Sequence, residues 1–176
     1  MEWFTSDTHF GAQRTLELSR RPFDSVACMD WTIVRNWNSI VGRSDTVYHL
    51  GDFGNWSMLG YLNGNIILLP GNYDEPIDVY RSGVRTIKSG HVQWFNDVRL
   101  KMVHDPLSAK KSLPEQSTMD EDPFYLFGHI HKLQMVKENG LNVGVDCHNF
   151  CPIDLDTVLF YRNAIINHYD ENVFCP

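Results

Sequence analysis

Apolar residues in this chain come in short runs, and a small polar cluster stops each one. Trp3 to Ser6 reads as a first strand, with Asp7, Thr8 and His9 projecting beyond its end. Thr46 to Leu50 is β-branched and aromatic and is halted by Gly51-Asp52; the apolar run Asn65 to Leu69 is halted by Pro70-Gly71-Asn72. Both read as buried strands. Between them, Ser25 to Val41 places Val26, Met29, Ile33, Trp37 and Ile40 or Val41 at helical spacing behind an Asp24 or Ser25 cap. Ser57 to Asn63 adds a short helix. This β-α-β-α-β order predicts a mostly parallel sheet. Trp31 and Trp37 fall to the apolar helix face, and His49 to the core.

The second half changes character. Val84 to Lys88, His91 to Phe95, Arg99 to Val103, Phe124 to Phe127, Leu133 to Val136 and Leu141 to Val145 are short strand candidates, with Asn139-Gly140 as a hairpin turn. Residues 105–122 form one long polar loop with room for a helical turn, of the length that usually carries function or is mobile. Asp154 to Ile166 reads as a closing helix.

The strand ends hold the chemistry. Asp7 and His9 follow the first strand, Asp52 the second and Asn72 the third; His104 follows Val103, and His129 and His131 follow Phe127. Carboxyl ends of strands in open α/β sheets form the crevice where ligands bind, so these residues converge. Singly, an Asp-x-His or a Gly-Asp is an ordinary loop or turn; the ordered set is the signal. Asp and Asn oxygens mixed with imidazoles, without thiolate, suit Mn, Fe, Zn, Co or Ni. Seven donors exceed one ion and suit two ions that share a carboxylate.

Composition narrows the partners. The 176 residues fit one domain, 1–176, and 43% hydrophobic with 21% charged residues describes a folded protein. A formal charge of -7 opposes stable binding to nucleic acid or anionic membranes. MEWFTSD resembles no signal peptide and no stretch could span a membrane, so a cytoplasmic location is expected. Cys28, Cys147, Cys151 and Cys175 form no CxxC pair and read as reduced thiols; Cys147, His148 and Cys151 lack a second pair that would complete a zinc site.

The motifs Asp7-Thr8-His9, Gly51-Asp52, Gly71-Asn72-Tyr73-Asp74, His104 and Gly128-His129-Ile130-His131 stand in an order that closely resembles the calcineurin-like metallophosphoesterase superfamily, across about residues 3–131. The resemblance implies a four-layer α/β/β/α sandwich of two mixed sheets flanked by helices. It implies that Asp7, His9 and His131 hold one metal, that Asn72, His104 and His129 hold a second, and that Asp52 bridges them. It further implies hydrolysis of a phosphoester by a metal-bridging hydroxide, with manganese the first expectation and Fe, Zn, Ni, Co or Mg as alternatives. SDTHFG at 6–11, Arg21-Pro22-Phe23 and Val47 to Asp52 look most like small bacterial and phage phosphoesterases.

One position departs from the pattern. Tyr73 stands where the family usually has a histidine that protonates the leaving oxygen or holds phosphate. A phenol, with a reference pKa near 10, is a slower proton donor than imidazolium at about 6.5. Tyr73 with Asp74 then assists esters whose leaving groups need less protonation, or Tyr73 merely fills space. Arg21 is a candidate phosphate donor, or else a solvated loop residue. His148 follows a strand end and is a weaker candidate for the cleft, while His91 and His168 have no partner in sequence. The leading expectation is a phosphodiesterase acting on nucleotide-type or other small diesters. A phosphomonoesterase and a catalytically weak scaffold of the same fold are the alternatives, as monomer or homodimer.

Overall fold

A computed structural model of the chain describes residues 1–110 and 123–168. The first sheet contains β1 (Glu2–Thr5), β2 (Thr46–His49), β3 (Asn65–Leu68), β4 (Arg85–Thr86) and β9 (Ile153–Asp154) in the order β4-β3-β2-β1-β9. β1 to β4 are parallel, and β9 joins β1 antiparallel. The second sheet has the order β5-β6-β7-β8, from β5 (His91–Phe95), β6 (Val98–Met102), β7 (Phe124–Phe127) and β8 (Gly140–Asn142). There the β5-β6 hairpin is antiparallel and the other pairs are parallel.

The two-residue period of the strands explains their layering. Phe4, Tyr48 and Ile67 point inward and share one apolar cluster with Phe95, Leu100, Met102, Leu126 and Leu141 of the second sheet. Their chain neighbours point outward: Trp3 and Val47 meet Trp37 and Val41, and Leu68 meets Met29 and Ile33. Both faces are thus buried, which is why these strands read as apolar runs rather than alternations. Helix α2 (Val26–Ile40), with α1 (Gln13–Leu18) and α3 (Pro76–Ser82), covers the outer face. Helix α5 (Leu155–His168) packs against β1, β8 and β9, adding Val158 and Ile165 to the inter-sheet core.

Helix α2 begins where its cap predicts, with Ser25 Oγ accepting from the Cys28 amide. Several elements differ from the sequence reading. Leu133 closes a 3-10 turn (His131–Leu133), and Val136 makes only a single bridge to Leu141, so no strand spans 133–136. The hairpin turn forms, but Glu138 rather than Asn139 adopts the left-handed conformation. Val145 starts a 3-10 turn instead of ending a strand, and the helix expected at 57–63 is a 3-10 helix, Trp56–Tyr61. Trp31 is not core: it is 52% exposed and packs edge-on against Tyr61, whereas Trp37 is fully buried. Of the expected long loop, Leu107–Lys110 forms a helical turn, α4; residues 111–122, like Cys175, lie outside the described residues. Among the described residues no helix is long and apolar enough to cross a membrane.

Candidate metal centre

The carboxyl ends of β1, β2, β3, β6 and β7 meet at one edge of the two sheets, and hydrogen bonds between their loops fix the meeting. The Asp7 amide donates to the Gly51 carbonyl at 2.9 Å, His9 to Asp52 at 3.0 Å, and Gly128 to His104 at 3.0 Å. A parallel bridge between Ser6 and Gly144 ties the first sheet to the second. Five residues at this edge have left-handed backbones: Asp7 (φ 57°), His9 (48°), Asp52 (58°), His129 (71°) and His131 (49°). Non-glycine residues in that region cost about 1–3 kcal/mol each and concentrate at functional sites. Two glycines permit the crowding. A β-carbon on Gly128 would overlap Ser6 Oγ and Asp7 Oδ2, and one on Gly71 would overlap Asp52 Oδ1.

All seven predicted ligands come together, in two groups. Asp7, His9 and His131 form one, with one donor atom each within 4.8 Å of the others; Asp52, His104 and His129 form a second by the same measure. Asn72 belongs with the second. Its Oδ1 lies 3.0 Å from His104 Nε2 and 2.9 Å from His129 Nδ1, and these two nitrogens are 3.2 Å apart. Asp52 stands between the groups: its Oδ2 is 3.4 Å from His9 Nε2 and 3.4 Å from His104 Nε2. Its other oxygen accepts the Tyr73 amide at 2.9 Å.

The protonation chemistry of these groups fits cations. His104 Nδ1 donates to the Leu50 carbonyl at 2.7 Å, which leaves Nε2 as an acceptor facing the Asn72 carbonyl oxygen. Acceptors so close repel unless a proton or metal ion lies among them. In the metal-free protein that role falls to a proton: burial opposes it, but the Asp52 hydrogen bond and the Asp7 and Asp52 charges raise His104 to about 9. His9 behaves oppositely. Burial, aided by the charges of His131 and Arg21, lowers it to about 4, so its ring is neutral, and Nε2 is buried without a hydrogen-bond partner. A neutral imidazole with an unused nitrogen beside two carboxylates is a metal donor in waiting.

Behind these donors stands a buried supporting layer. Asp74 does not face the cleft: its carboxylate accepts the amides of Asp52 (2.7 Å), Phe53 (2.9 Å) and Gly71 (2.8 Å), which fixes two ligand-bearing loops. Arg21 is neither a phosphate donor nor a solvated residue, because its side chain is 0% exposed. It donates to the Thr8 and Asp7 carbonyls and, through Nε and Nη2, to both oxygens of Asp146 at 2.9 and 2.7 Å. Asp146 Oδ2 in turn accepts from His131 Nδ1 at 2.7 Å, which turns His131 Nε2 toward the first group. Burial opposes charge on Asp146, yet the His131 and Arg21 hydrogen bonds hold it at about 2. Sequence reasoning missed Asp146, since an isolated Asp 125 residues from Arg21 gives no periodic or motif signal.

The remaining candidates divide. Tyr73 is 58% exposed at the cleft mouth, its ring edge-on to His9 at 5.5 Å. His148 belongs to neither donor group; its Nε2 lies 2.7 Å from the Asn142 carbonyl oxygen. His49 is a core residue, stacked toward Trp37 and bonded to Thr8. Cys28, Cys147 and Cys151 are free thiols; Cys147 donates to the His131 carbonyl, and burial pushes it up to about 11.

The family model of the calcineurin-like phosphoesterase superfamily domain matches residues 3–146. The chain belongs to that superfamily. The match reaches past His131 to Asp146, the supporting residue just described. Protein MJ1445 of Methanocaldococcus jannaschii is 28% identical over 172 residues, covering 89% of this chain and 88% of that one. The gene 66 protein of Mycobacterium phage L5 is 35% identical over 94 residues, 48% of this chain and 45% of the phage protein. A protein of unknown function from Aquifex aeolicus, AQ665, shares the fold at a TM-score of 0.69 and 22% identity, covering 92% of this chain and 98% of its own. The architecture, two mixed sheets flanked by helices, is that of the calcineurin-like phosphoesterases.

Proposed function

We propose that this superfamily member is a dinuclear metal-dependent phosphoesterase that prefers phosphodiesters, of nucleotide type or otherwise small. The observation that carries the reading is Asp52 Oδ2, equidistant at 3.4 Å from His9 Nε2 of one donor group and His104 Nε2 of the other, as a carboxylate shared by two ions would be. Asp7, His9 and His131 would hold one ion, Asn72, His104 and His129 the other, and Asp52 both. Mixed imidazole and oxygen donors suit Mn, Fe, Zn, Co or Ni; manganese is the ion proposed, with Fe, Zn, Ni, Co and Mg as alternatives. Two such ions would make hydroxide available as the nucleophile at neutral pH and would neutralise phosphate oxygens.

The chain's own residues do the rest. Asp74 and the Arg21–Asp146 pair hold the donors in place, so both are positioning residues. Tyr73, exposed beside His9, would give a hydrogen bond to the leaving oxygen; its exposure and its 5.5 Å ring distance from His9 support that role. Because a phenol donates protons more slowly than imidazolium, esters with good leaving groups are favoured, and diesters with an aryl or comparable leaving group react before alkyl monoesters.

Metal analysis combined with an ester panel tests this. Chelation abolishes turnover, manganese restores it, and Asp52→Asn is inert. Undiminished turnover by the chelated protein overturns the metal assignment; a Tyr73→His variant that leaves the monoester-to-diester ratio unchanged removes Tyr73 from the reaction.

A further inference from the structure

A cavity of about 510 Å³ opens directly beside His9, His129 and His131. One wall is helix α1, the other the 3-10 turn that ends at Leu133, and Tyr73 stands at the mouth. Leu18 and Leu133 are 70% and 86% exposed, so the two walls present bare aliphatic side chains beside a polar centre. Arg14 and Lys132 line the same cavity. Nothing in the catalytic proposal uses these four residues.

Resting on the phosphoesterase reading above, we propose that this cavity binds one arm of the substrate, a planar or apolar group of nucleoside size that carries a second negative charge. Cavities of about 300–1,000 Å³ enclose an organic ligand of drug size, far more than a methyl or glycerol ester needs. Covering Leu18, Leu133 and the Tyr73 ring removes apolar surface from water, a gain that only an apolar or planar arm provides. Arg14 and Lys132 supply the countercharge for a single further phosphate or carboxylate. The formal charge of -7 works against a long polyanion, which restricts that preference to small molecules.

The test compares two manganese-supported substrates that share one leaving group: the p-nitrophenyl ester of thymidine 5′-monophosphate and methyl p-nitrophenyl phosphate. The first is expected to have the lower KM, and a 3′-phosphate on its sugar to lower KM again. The double variant Leu18→Asn/Leu133→Asn shrinks the nucleoside advantage about tenfold, the scale of a lost apolar contact. Arg14→Ala removes the gain from the 3′-phosphate. Both leucines are exposed, so a matching melting temperature confirms that the variant is folded. Equal KM for the two diesters, or an advantage the variants leave unchanged, overturns the cavity assignment while leaving the phosphoesterase reading intact. If neither diester is hydrolysed, that reading fails, and calorimetry with thymidine 5′-methylphosphonate decides the cavity separately: binding weakened by the double variant supports it, and no binding overturns it.

Discussion

At the scale of the residue, two buried groups carry consequences that can be measured. His49 is fully buried, and burial lowers it from an ordinary 6.5 to about 3. The unfolded chain therefore takes up a proton below about pH 6.5 that the folded protein refuses, and the stability contributed by neutral His49 is complete above that pH and lost progressively toward pH 3. Denaturant midpoints should fall between pH 6.5 and 5, and His49→Gln should flatten that slope in part, because His9 shifts in the same direction. Asp146 carries the second. Removing its charge in Asp146→Asn weakens the hold on His131, and the affinity of one metal site should drop 10–100-fold in a calorimetric titration while the other is little changed. Two sites weakened alike would show that Asp146 supports the whole edge rather than one histidine.

The seven donors were readable because each follows an apolar run directly, so strand and ligand appear side by side in the sequence. Asp146 and the true role of Arg21 were not, since a hydrogen bond between residues 21 and 146 exists only after folding. Nor could the left-handed backbone of five donors be read, although Asp and His adopt it more readily than most residues.

At the scale of the element, legibility followed the buried pattern. Helix α2 repeats apolar residues over four turns and was found to within a residue at each end. Helix α1 buries only Leu16 and helix α3 only Val79, so neither has a stripe to detect, although Pro76 at the start of α3 and left-handed Gly83 at its end are the expected punctuation. β9 pairs only two residues with β1, too few for any pattern. The strand ends make their own prediction. Gly128→Ala places a methyl group against Ser6 and Asp7. The junction of β7 with the His129 loop must shift, so metal binding should be lost at both histidines that follow, and thermal stability should fall by about 1–3 kcal/mol on the scale of overpacked sites. Retained metal stoichiometry would mean that the junction yields freely.

At the scale of the molecule, one apolar cluster joins the inner faces of both sheets and the helix that closes their end. Separating the sheets would expose this cluster on both, although the first would keep the outer clusters it shares with α2. Unfolding should therefore be a single transition, with far-ultraviolet circular dichroism and the fluorescence of Trp3, Trp37 and Trp94 changing together. Separate midpoints would show that the sheets unfold independently. The sequence order explains why the parallel part of the first sheet was legible and the second sheet only in outline: β1 to β3 alternate with α2 and the 3-10 helix, while among the strands of the second sheet no helix longer than one turn is described.

The bridge from Ser6 to Gly144, the pairing of β1 with β9 and the bond from Arg21 to Asp146 all join the start of the chain to its last third. On the ribosome, where residues emerge in order, the first donors appear early, but His131 and the carboxylate that orients it follow more than a hundred residues later. A nascent chain thus carries an incomplete set of donors and supporting residues until residue 146 has emerged.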